Sequence, residues 1–132
     1  MLNGADRQAA AMEKVLGFGG FFFRAKNPAL LAEWYRVHLG IDPVPGDYDT
    51  PCWTQEAGET VFAPFESVTE YFGKRDRAFM LNFRVRDLDK MIAQLEAAGI
   101  EVRPDPDSPY PNGRFAWLND PEGNPIELWE PA

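Results

Sequence analysis

The sequence has one histidine, His38, and one cysteine, Cys52. A single cysteine forms no intrachain disulfide, which fits a reducing compartment and points to the cytoplasm. A 2-His-1-carboxylate iron site needs two histidines, and a catalytic zinc site usually needs two or three nitrogen or sulfur ligands. One histidine satisfies neither. His38 stands where a helix is expected to end, and reads as a structural residue favoured by the helix dipole. Cys52 reads as a small buried side chain, because no second histidine is present to activate it.

Positive charge is also scarce. Thirteen Lys and Arg stand against 21 Asp and Glu, a net charge of −8. Nucleic-acid binding calls for a basic footprint, which this composition does not supply. An anionic membrane surface would repel the chain. Long apolar runs are missing too. The longest near the start, Val15 to Phe23, is nine residues with three glycines. It is too short to span a bilayer and lies too far in for a signal peptide. The expected partners therefore include neither nucleic acid nor membrane.

What remains is ordinary in kind and rich in aromatics. At 132 residues, 45% hydrophobic and 26% charged, the chain reads as one globular domain. A domain of this size buries about two-thirds of its unfolded surface. Ten Phe and four Trp are enough to fill a core or to line a pocket.

Residues 1–14 read as an N-terminal extension, with a short helix over Ala5 to Glu13. A single domain then covers residues 15–132. Val15 to Phe23 reads as a buried strand. Asn27-Pro28 supplies an N-cap and a first helical residue, and Gly40 a helix end. Cys52 to Glu56 and Glu59 to Phe65 read as strands about a Gly58 turn. Glu66 to Arg77 reads as a polar connection. The order then repeats. Phe79 to Val85 is a strand, Asp87 an N-cap, Leu88 to Ala98 a helix and Gly99 its end. Glu101 to Arg103 reads as a short strand. Arg114 to Asn119 and Pro125 to Glu130 are strands joined by Asp120-Pro121-Glu122-Gly123, good turn chemistry.

The repeat is visible in register. Phe23-Arg24-Ala25-Lys26-Asn27 matches Phe83-Arg84-Val85-Arg86-Asp87 at an offset of 60 residues, and Gly40-Ile41 matches Gly99-Ile100 at 59. Two βαβββ modules are expected, about 15–66 and 79–131, because neither half easily buries its own sheet alone.

Three segments carry a family resemblance. They are Phe18 to Tyr35, with Arg24-Ala25-Lys26-Asn27-Pro28 and Trp34-Tyr35; Asn82 to Leu88, with the helix ending Ala98-Gly99-Ile100; and Asp120-Pro121-Glu122-Gly123-Asn124-Pro125-Ile126-Glu127-Leu128. On these the chain resembles the vicinal oxygen chelate superfamily, which includes glyoxalase I, bleomycin-resistance proteins and extradiol dioxygenases. The resemblance implies an α+β fold of two paired βαβββ modules, a cupped mixed sheet with helices on its outer face, and a homodimer. It also implies four metal-ligand positions on the first and last strand of each module. Here these fall on Gly20, Phe62, Met80 and Glu127. Only Glu127 ligates metals, so no metal and no other cofactor is expected in the cup.

Strand parity, with successive side chains on opposite faces, predicts what lines the cup. In Phe79 to Val85 the odd residues are all apolar and belong against the helix. Met80, Asn82 and Arg84 then face the cup. By the repeat, Phe18 and Phe22 face it as well. Phe62 and Trp129 complete an aromatic lining. Glu127 faces in beside Trp129 as a candidate acid/base or cation-pairing group, or as a structural partner of Arg84 or Arg114. Trp53, Gln55, Arg114 and Trp117 are further candidates of unassigned facing. Two functional readings stand. One is a metal-independent protein binding a small aromatic or planar molecule. The other is an enzyme, either metal-free with Glu127 as acid/base or a lyase or isomerase of the glyoxalase type; the single histidine disfavours a dioxygenase.

Overall fold

The structure, a computed structural model, describes residues 12–74 and 76–132. Helix α1 spans Pro28–Leu39. Strand β1 (Leu81–Arg84), helix α2 (Leu88–Ala97), and strands β2 (Arg103–Pro104), β3 (Gly113–Asn119) and β4 (Pro125–Pro131) follow. The strands form one mixed sheet in the order β1-β4-β3-β2. β1 runs parallel to β4, and β3 is antiparallel to both β4 and β2.

Local chemistry accounts for both helix starts. The Asn27 side chain accepts from the Leu30 amide at 3.2 Å, and the Asp87 side chain accepts from the Lys90 amide at 3.0 Å. Each satisfies a backbone donor that has no partner within its helix. Gly40 ends α1 in the left-handed region at φ 70°, where glycine carries no Cβ penalty.

The core lies between the helices and one face of the sheet. Leu31 and Tyr35 of α1 and Leu88 and Leu95 of α2 pack with Ala116, Leu118, Ile126 and Leu128. Phe23, Leu81, Phe83 and Val85 pack against this cluster. The odd residues of β1 thus lie toward the helices, as their alternation requires.

The Asp120–Asn124 turn joins the halves. Asp120 is buried, and its carboxylate accepts from the amides of Glu122 and Asn124 and from the Asn124 side chain. It also accepts from the Tyr35 hydroxyl of α1 at 2.7 Å. Glu122 accepts from the amides of Lys26 and Asn27 at 2.6 and 3.1 Å, which places a carboxylate at the α1 N-terminus. A turn in the second half thereby anchors the first helix.

The α+β class, the mixed sheet and the helices on one face agree with expectation. The first half departs from it. Among the described residues, Val15 to Phe23, Cys52 to Glu56 and Glu59 to Phe65 form no ladder, and all the hydrogen-bonded strands belong to the second half. The physical reason lies in burial. Val15, Phe22, Val61 and Phe62 are exposed, so these segments bury no common face. Gly17, Gly19 and Gly20 add a large conformational-entropy cost with no side chain to pack. Cys52, expected to be buried, is exposed on one of these segments. The helix expected over Ala5 to Glu13 lies almost wholly outside the described residues.

Candidate functional site

The register of β1, β4 and β3 builds the site. Asn82 pairs with Glu127, and Glu127 with Trp117. These three residues form one row across three strands, on the face away from the helices. Arg84, Trp129 and Phe115 form the row one pleat further on. The alternate rows, Leu81–Ile126–Leu118 and Phe83–Leu128–Ala116, point into the core. One alternation therefore seals the helical face and puts a carboxylate and large rings on the other.

Glu127 is at the centre of the first row and only 9% exposed. One carboxylate oxygen accepts from Asn82 Nδ2 at 2.7 Å. The other accepts from Trp117 Nε1 at 2.8 Å and from the Tyr71 hydroxyl. All three donors are neutral. A carboxylate offers about four lone-pair sites, so roughly one remains free. Burial, and then the Glu127 acceptor, push the Tyr71 phenol up to about 12. Trp129 is held by its own Nε1 donation to the Asn112 carbonyl at 2.8 Å, and it stacks parallel to Phe115 with centroids 6.3 Å apart.

Above this floor lies a cleft of about 1240 Å³. Its walls bring together Phe62, Met80, Asn82, Trp117, Glu127 and Trp129, with Tyr71 and Phe72 from the connection between the halves. Arg84 stands elsewhere. It lines a second cleft of about 490 Å³ with Trp53 and Gln55, where its guanidinium donates to the Glu56 carbonyl at 2.8 Å. Phe18 and Phe22 do not line the main cleft. Phe18 meets Phe62 ring to ring at 5.8 Å, and Phe22 is 94% exposed. Parity fails for them because alternation of facing is a property of a pleated ladder, and their segment has none. Arg114 pairs with Asp89 at 2.8 Å rather than with Glu127.

Tyr71 is the residue that sequence reasoning missed. It lies in the segment taken as a polar connection. Phe65, Val68, Tyr71 and Phe72 interrupt that segment at near-helical spacing, and Phe65 packs against both Tyr71 and Phe72. That spacing was the available signal.

The metal positions implied by the superfamily do not fit an ion. Gly20 and Phe62 bring no ligating group, Met80 brings only a thioether that suits soft copper(I) rather than nickel, zinc or iron(II), and Glu127 already holds three donors. Among the described residues, no three His, Cys, Asp or Glu side chains gather where they would share an ion. His38 is far from such a role: it lies in the last turn of α1, its ring 5.5 Å from that of Trp34.

The chain is 40% identical over 50 residues to YaeR, an uncharacterised protein of Escherichia coli K12, a match covering 38% of this chain and 39% of YaeR. The chain thus spans about two-fifths of that curated relative. Among solved structures, TnmS3, an antibiotic binding protein from Streptomyces sp. CB03234, is 38% identical over 39% of this chain and 41% of its own, with a TM-score of 0.35. A glyoxalase family protein from Bacillus anthracis is 23% identical over 75% of this chain and 80% of its own, with a TM-score of 0.47. The family model of the glyoxalase-like domain matches residues 20–129. With most of its length matched, this chain belongs to the glyoxalase-like domain family.

Proposed function

We propose that the protein binds a small aromatic or planar organic molecule in the cleft over the open sheet face, without a catalytic metal. One observation carries this reading: the main cleft has a floor of large rings with a single buried carboxylate, Glu127, at its centre. Concave, largely apolar sites with a few orienting polar groups are the usual form of small-molecule sites. We place the protein in the cytoplasm, in keeping with its single cysteine, and read it as a homodimer, which would cover the apolar side chains exposed on the first-half segments.

A second reading is an enzyme of this family, a glyoxalase-type lyase or isomerase or a metal-free catalyst, with Glu127 as acid or base. Glu127 lines the cleft with roughly one of its lone-pair sites free of a donor, which favours it. Glu127→Gln separates the two. Lost turnover with unchanged ligand affinity supports catalysis, and altered affinity with no turnover in either form supports binding. Metal analysis of the purified protein, before and after incubation with nickel, zinc or iron, tests metal independence. Stoichiometric, tightly held metal refutes it. Sedimentation tests the dimer, and localisation of a tagged chain tests the compartment.

A further inference from the structure

We propose that the ligand of the main cleft is a flat aromatic cation whose charge serves as the counter-ion of Glu127. This rests on the binding reading above and adds the sign of the ligand's charge.

The buried carboxylate is the first ground. Burying an ionised group is costly unless an opposite charge or a full set of hydrogen bonds compensates it. Glu127 has three neutral donors, and among the described residues no Lys, Arg or His comes within ion-pair distance of it. Its charge is hydrogen-bonded, and no described residue neutralises it. The two arginines nearest in sequence logic are occupied, Arg84 with the Glu56 carbonyl and Arg114 with Asp89.

The walls are the second ground. Glu66, Asp105 and Asp107 join Glu127 on the cleft lining, against one described cation, Arg77. Arg77 is turned to the Glu122 carbonyl at 3.0 Å and to Asn124 Oδ1 at 3.4 Å. Among the described residues, four carboxylates against one guanidinium make a space that favours positive charge. The third ground is the set of rings. Tyr71 and Trp117 stand edge to face at 6.3 Å directly beside the carboxylate, both oriented by bonds to it. Their faces attract a cation through the ring quadrupole, while a flat ligand stacks on the same surfaces. A neutral planar molecule would gain the stacking and leave the charge of Glu127 uncompensated. A planar anion would gain the stacking against four like charges.

The test uses three two-ring probes of similar size on the intact chain: N-methylquinolinium, quinoline and 2-naphthoate. Binding is followed near neutral pH by quenching of tryptophan fluorescence and by calorimetry. N-methylquinolinium is expected to bind on the order of thirtyfold more tightly than quinoline, the scale of a desolvated cation–π contact. Naphthoate is expected to bind most weakly. In Glu127→Gln the preference for the cation over quinoline is expected to fall by roughly tenfold or more. Equal binding of N-methylquinolinium and quinoline overturns the charge assignment and leaves the aromatic site standing. Binding of none of the three overturns both. If Glu127→Gln does not fold, the ranking of the three probes on the unaltered chain still decides. Asp105→Asn, which alters the wall and not the floor, is then expected to reduce the cation preference by a smaller factor.

Discussion

Replacing Glu127 with glutamine removes one charge and keeps the shape, and the geometry allows its cost to be worked out. The carboxylate oxygen that accepts from Tyr71 and Trp117 becomes the amide oxygen, so both bonds survive. The new amide nitrogen then faces Asn82 Nδ2, donor against donor. Asn82 is exposed, so its side-chain amide turns over and its oxygen accepts from Gln at position 127. Hydrogen bonds to a charged acceptor contribute about 1 kcal/mol more than neutral ones. All three bonds to the former carboxylate lose that increment, about 3 kcal/mol together, and relief from burying an unneutralised charge offsets much of the loss. The expected net cost is about 0–2 kcal/mol. Glu127→Ala differs, because it removes the acceptor of the Tyr71 hydroxyl and the nearer acceptor of the Trp117 indole N–H, which keeps only the Tyr71 oxygen at 3.3 Å. That variant should lose about 2–4 kcal/mol. Urea unfolding followed by tryptophan fluorescence measures both, read as a shift of midpoint at constant slope. If glutamine costs as much as alanine, the charge matters more than the acceptor geometry, and the reasoning fails.

The same contact sets a pH dependence. The Tyr71 phenol is pushed up to about 12 in the folded chain, by burial first and by Glu127 second, from an ordinary 10.0. A raised value means that the fold favours the protonated phenol. The stability it contributes is complete below about pH 10 and is lost as pH climbs through about 12. Tyr71 is 46% exposed, so solvent screens much of the effect. A near-ultraviolet difference titration against Tyr71→Phe should show this late phenol. In Glu127→Gln it should move down without reaching its ordinary value, since burial remains. Tyr35→Phe deletes the hydroxyl bonded to buried Asp120 and should cost about 1–2 kcal/mol by denaturant melting, whereas an unchanged midpoint would show that the bond does not anchor α1. Leu128→Ala empties a fully buried site beneath both helices and should cost about 2–5 kcal/mol. At Gly113, φ is 131° and an added Cβ would meet the Glu130 backbone carbonyl and, at 2.9 Å, Trp129 Nε1. Gly113→Ala should therefore cost roughly 1–3 kcal/mol from backbone strain alone, and should also weaken binding of a planar probe by displacing the Trp129 ring.

How much of this was legible in the sequence depended on whether the signal was local. Asn27 and Asp87 could be read as N-caps because a capping side chain bonds to its own helix within three residues. The facing of Asn82 and Glu127 followed from alternation along single strands whose other side chains are apolar. The scarcity of histidine, and the Gly, Phe and Met at the implied metal positions, were equally plain without coordinates. Other features needed the fold. Trp117 and Asn82 stand 10 and 45 residues before Glu127, and only ladder register puts the three in one row. Tyr71 reaches the same carboxylate from a segment whose near-helical spacing of Phe65, Val68, Tyr71 and Phe72 marks an apolar side but not what that side meets. Phe18 and Phe22 show the converse: the alternation inferred for them was sound only if their segment paired, and pairing depends on burying a face against something distant in the chain. Local bonds and periodic facing are short-range properties, and the sequence states them. Which strands find partners, and which side chains meet across them, is a cooperative result of burial that the tertiary structure alone decides.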